Sequence, residues 1–349
     1  MTYLELFNTK TVKETLDLLS EYWIENRQLE FFNARTVGEA ISRLDQYSTK
    51  AKIIAGGVDL LRLMRRQIID PKILVNIEII PQLAHITEDA EGLKIGALSR
   101  ISDLETSPII REKYSLLAEA AYSVSSPQIR NMATIGGNLC QEVNCWYYRM
   151  SPVTGRTFFC YRKGGDNCFA VNGDNRYHAI IDIAACHAVC QSDMAPALIA
   201  LGATANIASP DGERTIPVEA LYQPLGNILK PNELITEIKV PAPGPETSQK
   251  YLKFRLRKTI DPAISSVAAA ITLKAGRIEQ ASIVLGGVAP IPYRSIKAQD
   301  TLKGQILTES IAGIAAEAAV SNAAPLSMNN HKLSITKALV KRAILGQNS

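Results

Sequence analysis

Apolar residues recur at helical spacing twice within the first fifty positions. Val12, Leu16 and Leu19 share one face of a first predicted helix, and Val37, Ile41 and Leu44 share one face of a second. The two stretches are alike: Leu6–Tyr22 and Phe31–Tyr47 agree at seven of seventeen positions, each with a strand-like start, a threonine placed as an N-cap, and then a helix. A duplicated opening motif and convergent capping chemistry both account for this. Lys52–Ile54 is apolar and β-branched and reads as a buried strand, Ala55-Gly56-Gly57 as a turn, and Asp59–Arg66 as a helix. Two further strands, KILVNI and GLKIGALSR, precede a helix expected from about Ile101, through Pro108, to Ser123, and Pro127 acts as a helix breaker.

The stretch DMAPALIALGATANIAS then predicts a helix packed on a strand, and Asp211-Gly212 a hairpin turn into ERTIPV. NELITEIKVPAP is one more strand, and the Pro/Gly-rich run Pro241–Pro245 marks a domain boundary. Beyond it, YLKFRLRK and SSVAAAITLKAGRIEQASIVLGGV predict antiparallel strands turning at Ala275-Gly276. Helices over Ser310–Ala324 and Ile335–Leu345 close the chain. A small αβ unit, a larger αβ unit, and then strands with helices argue for an α+β fold rather than a doubly wound sheet.

Composition narrows the function. The 349 residues are 46% hydrophobic and 21% charged with a net charge of +4, which suits two or three globular domains and argues for neither nucleic acid nor membrane. No run of about 18 apolar residues occurs, so no membrane span is expected. The N-terminal stretch is charged and lacks an apolar core, unlike a secretory signal, so a cytoplasmic location is expected. Thiols stay reduced there, and clustered cysteines read as metal ligands rather than disulfides.

All six cysteines fall between Cys140 and Cys190, in a stretch rich in Gly, Asn, Asp and Tyr, with Arg156, Arg162 and Lys163 close by in sequence. No Cys-x-x-Cys is present, which disfavours zinc ribbons, thioredoxin-like motifs and the ferredoxin runs. Spacing alone does not separate zinc from iron–sulfur, and buried or reactive thiols remain alternatives. Two glycine pairs stand upstream. Gly56-Gly57, between strand and helix, leaves backbone N–H groups bare, as an anion such as pyrophosphate requires, and Thr134–Asn138 is a second such loop. An ordinary strand-to-helix turn is the other reading of the first.

These residues together carry a resemblance. IIAGGVDLL, SPQIRNMATIGGNL, SDMAPALIALGA and KFRLRKTIDPAISSVAAAI, in that order from about Phe31 to the C-terminus, resemble the flavin-binding subunit of the molybdenum hydroxylases, the xanthine dehydrogenase and carbon monoxide dehydrogenase family. Most members pass directly from the GGN loop to the aspartate-bearing helix. Here a long insert intervenes and contains the cysteines, similar to the inserts of 4-hydroxybenzoyl-CoA reductase and the bacterial aldehyde oxidoreductase, which carry a [4Fe–4S] cluster.

The resemblance implies an N-terminal extension (1–30) and a two-part αβ flavin domain of the PCMH, vanillyl-alcohol-oxidase-like type (31–84 and 85–243, with the insert at 140–190). A C-terminal domain of antiparallel sheet plus helices (248–349) comes after it. It implies FAD on Ile54, Ala55, Gly56, Gly57, Val58, Asp59 and Leu60 of the first loop and on Thr134, Ile135, Gly136, Gly137 and Asn138 of the second. Asp193 matches an aspartate on the flavin's polyol, Val124 and Ile235 match residues lining the isoalloxazine ring, and Lys253 matches a lysine at the ring edge. Against these stand a helix-capping role for Asp193, core packing for Val124 and Ile235, and a solvated strand position for Lys253.

The implied cluster ligands are Cys145, Cys160, Cys168 and Cys186, leaving Cys140 and Cys190 as buried small hydrophobes, with Cys190 an alternative fourth ligand. His85, His178, His187 and His331 pair with no nucleophile motif, and His178 and His187 are candidates to surround the cluster. Family organisation implies an oxidoreductase subunit that passes electrons between FAD and iron–sulfur centres. Its partners would be a large molybdopterin-binding subunit, a small [2Fe–2S] subunit, and ferredoxin or another electron carrier. The competing class is a zinc-stapled, flavin-free scaffold of the same fold. A stand-alone flavin oxidase would need catalytic side chains over the flavin, and none is evident.

Overall fold

The computed structural model describes residues 29–347 apart from 152–154, 156 and 182–183. The first predicted helix, the first copy of the opening motif and Arg156 lie outside the described residues.

A three-stranded parallel sheet comes first, ordered β1 (Glu30–Asn33), β3 (Ile73–Asn76), β2 (Ala51–Ile54). Helix α1 (Val37–Tyr47) covers it, capped by Thr36, whose hydroxyl accepts from the Glu39 N–H at 3.1 Å. Ala40, Ile41 and Leu44, the apolar stripe of α1, are its buried residues. After β2 the chain turns into the short helix α2 (Leu60–Arg65).

The second sheet is antiparallel, in the order β4 (Ile86–Asp89), β5 (Gly92–Gly96), β10 (Leu234–Pro241), β6 (Thr204–Ser209), β7 (Gly212–Pro217). A two-stranded ribbon, β8 (Tyr222–Gln223) and β9 (Gly226–Asn227), leads back toward β10. The single helix expected from Ile101 to Ser123 is three: α3 (Ile101–Thr106), α4 (Pro108–Lys113) and α5 (Ser115–Ser123). Pro108 holds Ser107 out of the helical region, at φ −57° and ψ 122°, and restarts the helix as its first residue. Pro127 likewise opens a helical turn, α6 (Pro127–Arg130), with Ser126 as cap. One more turn, α7 (Ile135–Leu139), leads to the cysteine-bearing insert, which contains α8 (Trp146–Arg149). Helix α9 (Met194–Ala200) comes after the insert.

The third sheet runs β11 (Thr247–Phe254), β12 (Ser265–Lys274), β13 (Arg277–Gly286), β14 (Tyr293–Arg294), all antiparallel. Ala275 and Gly276, at φ 50° and 75°, make the hairpin turn the sequence predicts. Helices α10 (Ile296–Leu302), α11 (Glu309–Ala319) and α12 (His331–Ile344) complete the chain. Period-two alternation explains how this sheet is used. Tyr251, Ala268, Ala270 and Val284 enter the core built by α5, α9 and the second sheet. Leu252, Val267, Ala269, Ile271, Ile283 and Leu285 enter a second core with α10, α11 and α12. The alanines of β12 let helices approach both faces. The Pro241–Pro245 run therefore connects two sheets that share a core.

Candidate functional site

Ile54 ends β2, and the next five residues form an open turn before α2. Among the described residues, the backbone N–H groups of Ala55, Gly56, Gly57, Val58 and Asp59 make no hydrogen bond. Gly56 is where bare backbone is indispensable: a Cβ there would sit 1.7 Å from the carbonyl oxygen of Met132. Gly57 adopts φ 67°, a left-handed conformation that suits glycine. The Met132 carbonyl immediately precedes the second loop, so the two glycine loops lie against each other.

The second loop is engaged in a different way. Thr134 caps α7, its hydroxyl accepting from Gly137 N–H at 3.2 Å. The N–H groups of Ile135, Gly136 and Asn138 donate to Ser99 O, Ala97 O and Thr134 O at 3.0, 3.0 and 2.8 Å. The expectation that this loop exposes backbone donors is thus corrected: Ala97, Ser99 and Thr134 take them up, whereas the first loop keeps a set free. The second loop offers close approach instead.

Both loops line one cavity of about 510 Å³, within the usual range for ligand pockets. Val124, Asp193, Ile235 and Lys253 share its wall, brought from four separate elements or element ends. Ile54 and Ile135 do not contribute side chains to it: both are fully buried in apolar clusters. Asp193 does not cap α9. Ser192 does that, accepting from Ala195 N–H at 3.0 Å while donating to Asn138 at 2.7 Å. Asp193 instead accepts from Lys253 Nζ at 2.7 Å and from the Tyr251 hydroxyl at 2.9 Å. Both members of the ion pair are more than nine-tenths buried, so Lys253 is no solvated strand lysine. Lys253 Nζ also donates to Ser123 O, and Arg130 to Val124 O, fixing the backbone that presents Val124. Sequence spacing had no signal for Lys52, Arg62, Gln191 and Lys230, which also line the cavity.

The insert has a small apolar core of its own. Val143, Tyr148, Cys160, Cys186 and Ala188 pack with Leu63 of α2, and Cys145 and Phe169 lie against them. Cys145, Cys160, Cys168 and Cys186 line one small pocket with Tyr147, Tyr148 and Phe169. Cys140 lines the larger cavity instead, and Cys190 lines neither. Both residues are partly buried, and desolvation of the sulfur pushes the Cys140 thiol up to about 12 and the Cys190 thiol up to about 11.

Burial dominates the surroundings of Cys145. Burial pushes its thiol up to about 12, while N–H donors from Tyr148 and Tyr147 pull the other way. His178 Nε2 lies 3.2 Å from Cys145 Sγ. Burial, then the nearby Lys332 and His187, hold His178 down to about 4, so its ring is neutral. Lys163 and the buried Arg162 flank the same pocket, Arg162 paired with Glu142 at 3.3 Å. His85 is remote, paired with Glu237 across the second sheet.

Among the described residues no group of three or more His, Cys, Asp or Glu is placed to hold a single metal ion. One zinc ion with Zn–S bonds of about 2.3 Å would draw four sulfurs to within about 3.8 Å of one another. Among the described residues no helix is long and apolar enough to cross a membrane.

The chain matches two family models: the FAD binding domain in molybdopterin dehydrogenase over residues 27–243, and the CO dehydrogenase flavoprotein C-terminal domain over residues 250–346. It is 36% identical, over 73% of its length and 80% of the relative's, to the aldehyde oxidoreductase FAD-binding subunit PaoB of Escherichia coli. It is 30% identical, over 86% of its length and 90% of the relative's, to the carbon monoxide dehydrogenase medium chain of Hydrogenophaga pseudoflava. A solved structure of carbon monoxide dehydrogenase from that organism superposes with a TM-score of 0.74 at 28% identity, covering 91% of this chain and 96% of the other.

Proposed function

We propose, from the premise that the chain belongs to the FAD-binding medium-subunit family of the molybdenum hydroxylases, that it carries both FAD and a [4Fe–4S] cluster and passes electrons between FAD and the iron–sulfur centres of partner subunits. Membership makes it an FAD-binding subunit of an oxidoreductase complex. The observation that carries the finer reading is the convergence of Cys145, Cys160, Cys168 and Cys186 on one pocket beside the glycine-loop cavity.

FAD, when bound, supplies the exchange between two-electron and one-electron transfer. The chain's residues supply the rest. The five N–H groups of Ala55–Asp59 without a partner would hold the pyrophosphate, and Gly56 and Gly57 would leave it room for close approach. Thr134, Gly136, Gly137 and Asn138 form the opposite side of that cradle. Val124 and Ile235 give the ring an apolar wall, and the Asp193–Lys253 pair, held by Tyr251, presents fixed polar groups toward the cofactor. Cys145, Cys160, Cys168 and Cys186 would hold the iron as thiolates, and Lys163, the His178 ring and the N–H groups of Tyr147 and Tyr148 would moderate the negative charge.

The domains in this reading are an extension over 1–30, a vanillyl-alcohol-oxidase-like flavin domain in two parts over 31–84 and 85–243 with the insert at 140–190, and a C-terminal domain over 248–349. The partners this reading needs are a large molybdopterin-binding subunit, a small [2Fe–2S] subunit and a carrier of the ferredoxin kind. Cytoplasmic residence fits six cysteines none of which is in a disulfide. The zinc-stapled, flavin-free alternative finds no support in a chain that matches an FAD-binding model.

Anaerobic purification tests the reading. A brown protein that releases FAD on denaturation and contains iron with acid-labile sulfide supports it. A yellow protein without iron leaves an FAD subunit and removes the cluster.

A further inference from the structure

The insert and the first glycine loop are distant in sequence and joined in space by two consecutive residues of α8. Tyr148 is buried and lines both the cysteine pocket and the glycine-loop cavity, so its ring is a shared wall. Arg149 is 3% exposed. Its Nη2 donates to Asp59 Oδ1 at 2.7 Å and to Glu142 O at 3.0 Å, and its Nε donates to Val143 O at 2.8 Å. The other oxygen of Asp59 accepts from Glu142 N–H at 2.8 Å. Both carboxylate oxygens of the residue that closes the first glycine loop are therefore held by the insert. In return, Arg66, just beyond α2, donates to Arg149 O at 3.2 Å. The cysteines bracket the same segment: Cys145 directly precedes α8, and Cys160 and Cys186 pack on Tyr148 and Leu63.

Asp59 does not stabilise its loop from within the loop. It makes no side-chain cap bond to α2, although it stands in the cap position. Its geometry is set from outside, by a guanidinium whose own position depends on how the insert is folded. The 180–190 end of the insert is tied to the C-terminal domain through Ile180 and Ile181, whereas α8 packs in the small core that Cys145, Cys160 and Cys186 help to form, so a group held by those thiols acts directly on α8.

We propose that Arg149 is a positioning residue for the FAD pyrophosphate loop, acting through Asp59, and that it and Tyr148 make filling the cysteine pocket and filling the FAD cavity mutually favourable. This rests on the function proposed above. Loading the cysteine pocket fixes α8, α8 fixes Asp59, and Asp59 fixes the turn whose five N–H groups meet the cofactor. Linkage is reciprocal, so FAD must protect the iron by the same factor by which iron tightens FAD.

The test uses the full chain in its complex, with FAD affinity read by flavin fluorescence before and after iron is removed by a chelator. In the native sequence, removal of iron is expected to weaken FAD by about 5–150-fold, the usual span for coupled sites. FAD-stripped protein should lose iron to the chelator faster than FAD-loaded protein. Arg149→Met should bind FAD weakly whether or not iron is present, and Arg149→Lys should recover part of the loss. Asp59→Asn, which keeps the shape and removes the charge, should behave as Arg149→Met does, and the double variant should be no worse than either. A merely structural arginine would lower the melting temperature without erasing the dependence of FAD affinity on iron.

Equal FAD affinity in iron-loaded and iron-stripped native protein overturns the inference, even if every variant unfolds. So does a full iron dependence retained in Arg149→Met. Metal analysis at the outset separates the two claims. A complex with FAD but no iron in this chain overturns the proposed function and this inference with it, whereas both groups bound independently overturns the inference alone.

Discussion

Replacing Gly56 by alanine adds one methyl group at the contact between the two glycine loops. Its Cβ would lie 1.7 Å from Met132 O and 2.7 Å from Met132 C, where real Cβ contacts do not fall below 3.0 Å. The gap must therefore open by 3.0 − 1.7 = 1.3 Å. The carbonyl side cannot yield cheaply. Met132 N–H and Ala133 N–H donate to Ile129 O at 3.1 and 2.8 Å, and Ala133 O accepts from Ile101 N–H at 2.9 Å. The first loop must move instead, and it carries the free donors. Overpacking of this kind costs about 1–3 kcal/mol. Taken from ligand binding, that weakens FAD by about 5–150-fold. The assay is FAD retained through desalting and its affinity by fluorescence titration, with a thermal melt of the FAD-free protein alongside. A Gly56→Ala protein that holds FAD as tightly as the native one would refute the reasoning, because the loop contact would then not set the cradle.

Gly313, within α11, is the opposite case: a Cβ there meets nothing within 4 Å, so Gly313→Ala should raise stability by about 0.5–1 kcal/mol, read as a higher melting temperature with FAD content unchanged. Lys332 is fully buried, its Nζ donating to the carbonyls of Tyr177, His178 and Gly287 at 3.2, 2.9 and 2.6 Å, and burial pushes the amine down to about 7. Since the unfolded chain holds this proton up to about 10.5, it binds more protons than the folded one between about 7 and 10.5. Stability relative to Lys332→Met should therefore climb as pH rises through that window, and denaturant melts of the two proteins at pH 7 and pH 10 check the sign. A difference independent of pH would place the amine's proton affinity near its ordinary value.

Much of the site is legible in the sequence for a simple reason: glycine pairs and clustered cysteines do work few other residues can do. Gly56 stands where a methyl group does not fit, and Cys145, Cys160, Cys168 and Cys186 line one pocket across a stretch whose spacing matches no short metal motif. What stays hidden depends on partners far along the chain. The pairing of Lys253 with Asp193, and of Arg149 with Asp59, joins residues 60 and 90 positions apart, which periodicity cannot show. The second glycine loop looks like a donor nest in sequence, yet Ala97 and Ser99 supply its acceptors from another segment. Ile54 and Ile135 sit inside the loop motifs but turn their side chains into the core. The single helix expected from Ile101 to Ser123 breaks at Ser107-Pro108, where the proline holds Ser107 extended, and again at Tyr114, which lies outside the helical region at φ −124° and ψ 48°.

Four thiolates sharing one inorganic centre beside the FAD cavity are the central claim, and cysteine replacement tests it most directly. Iron, acid-labile sulfide and the reduced-state EPR spectrum would be measured for the native complex and for each of the six Cys→Ser variants. The prediction is that Cys145→Ser, Cys160→Ser, Cys168→Ser and Cys186→Ser each abolish a cubane signal, while Cys140→Ser and Cys190→Ser keep it. Zinc in place of iron, or a signal that survives loss of any of the first four thiols, would contradict it.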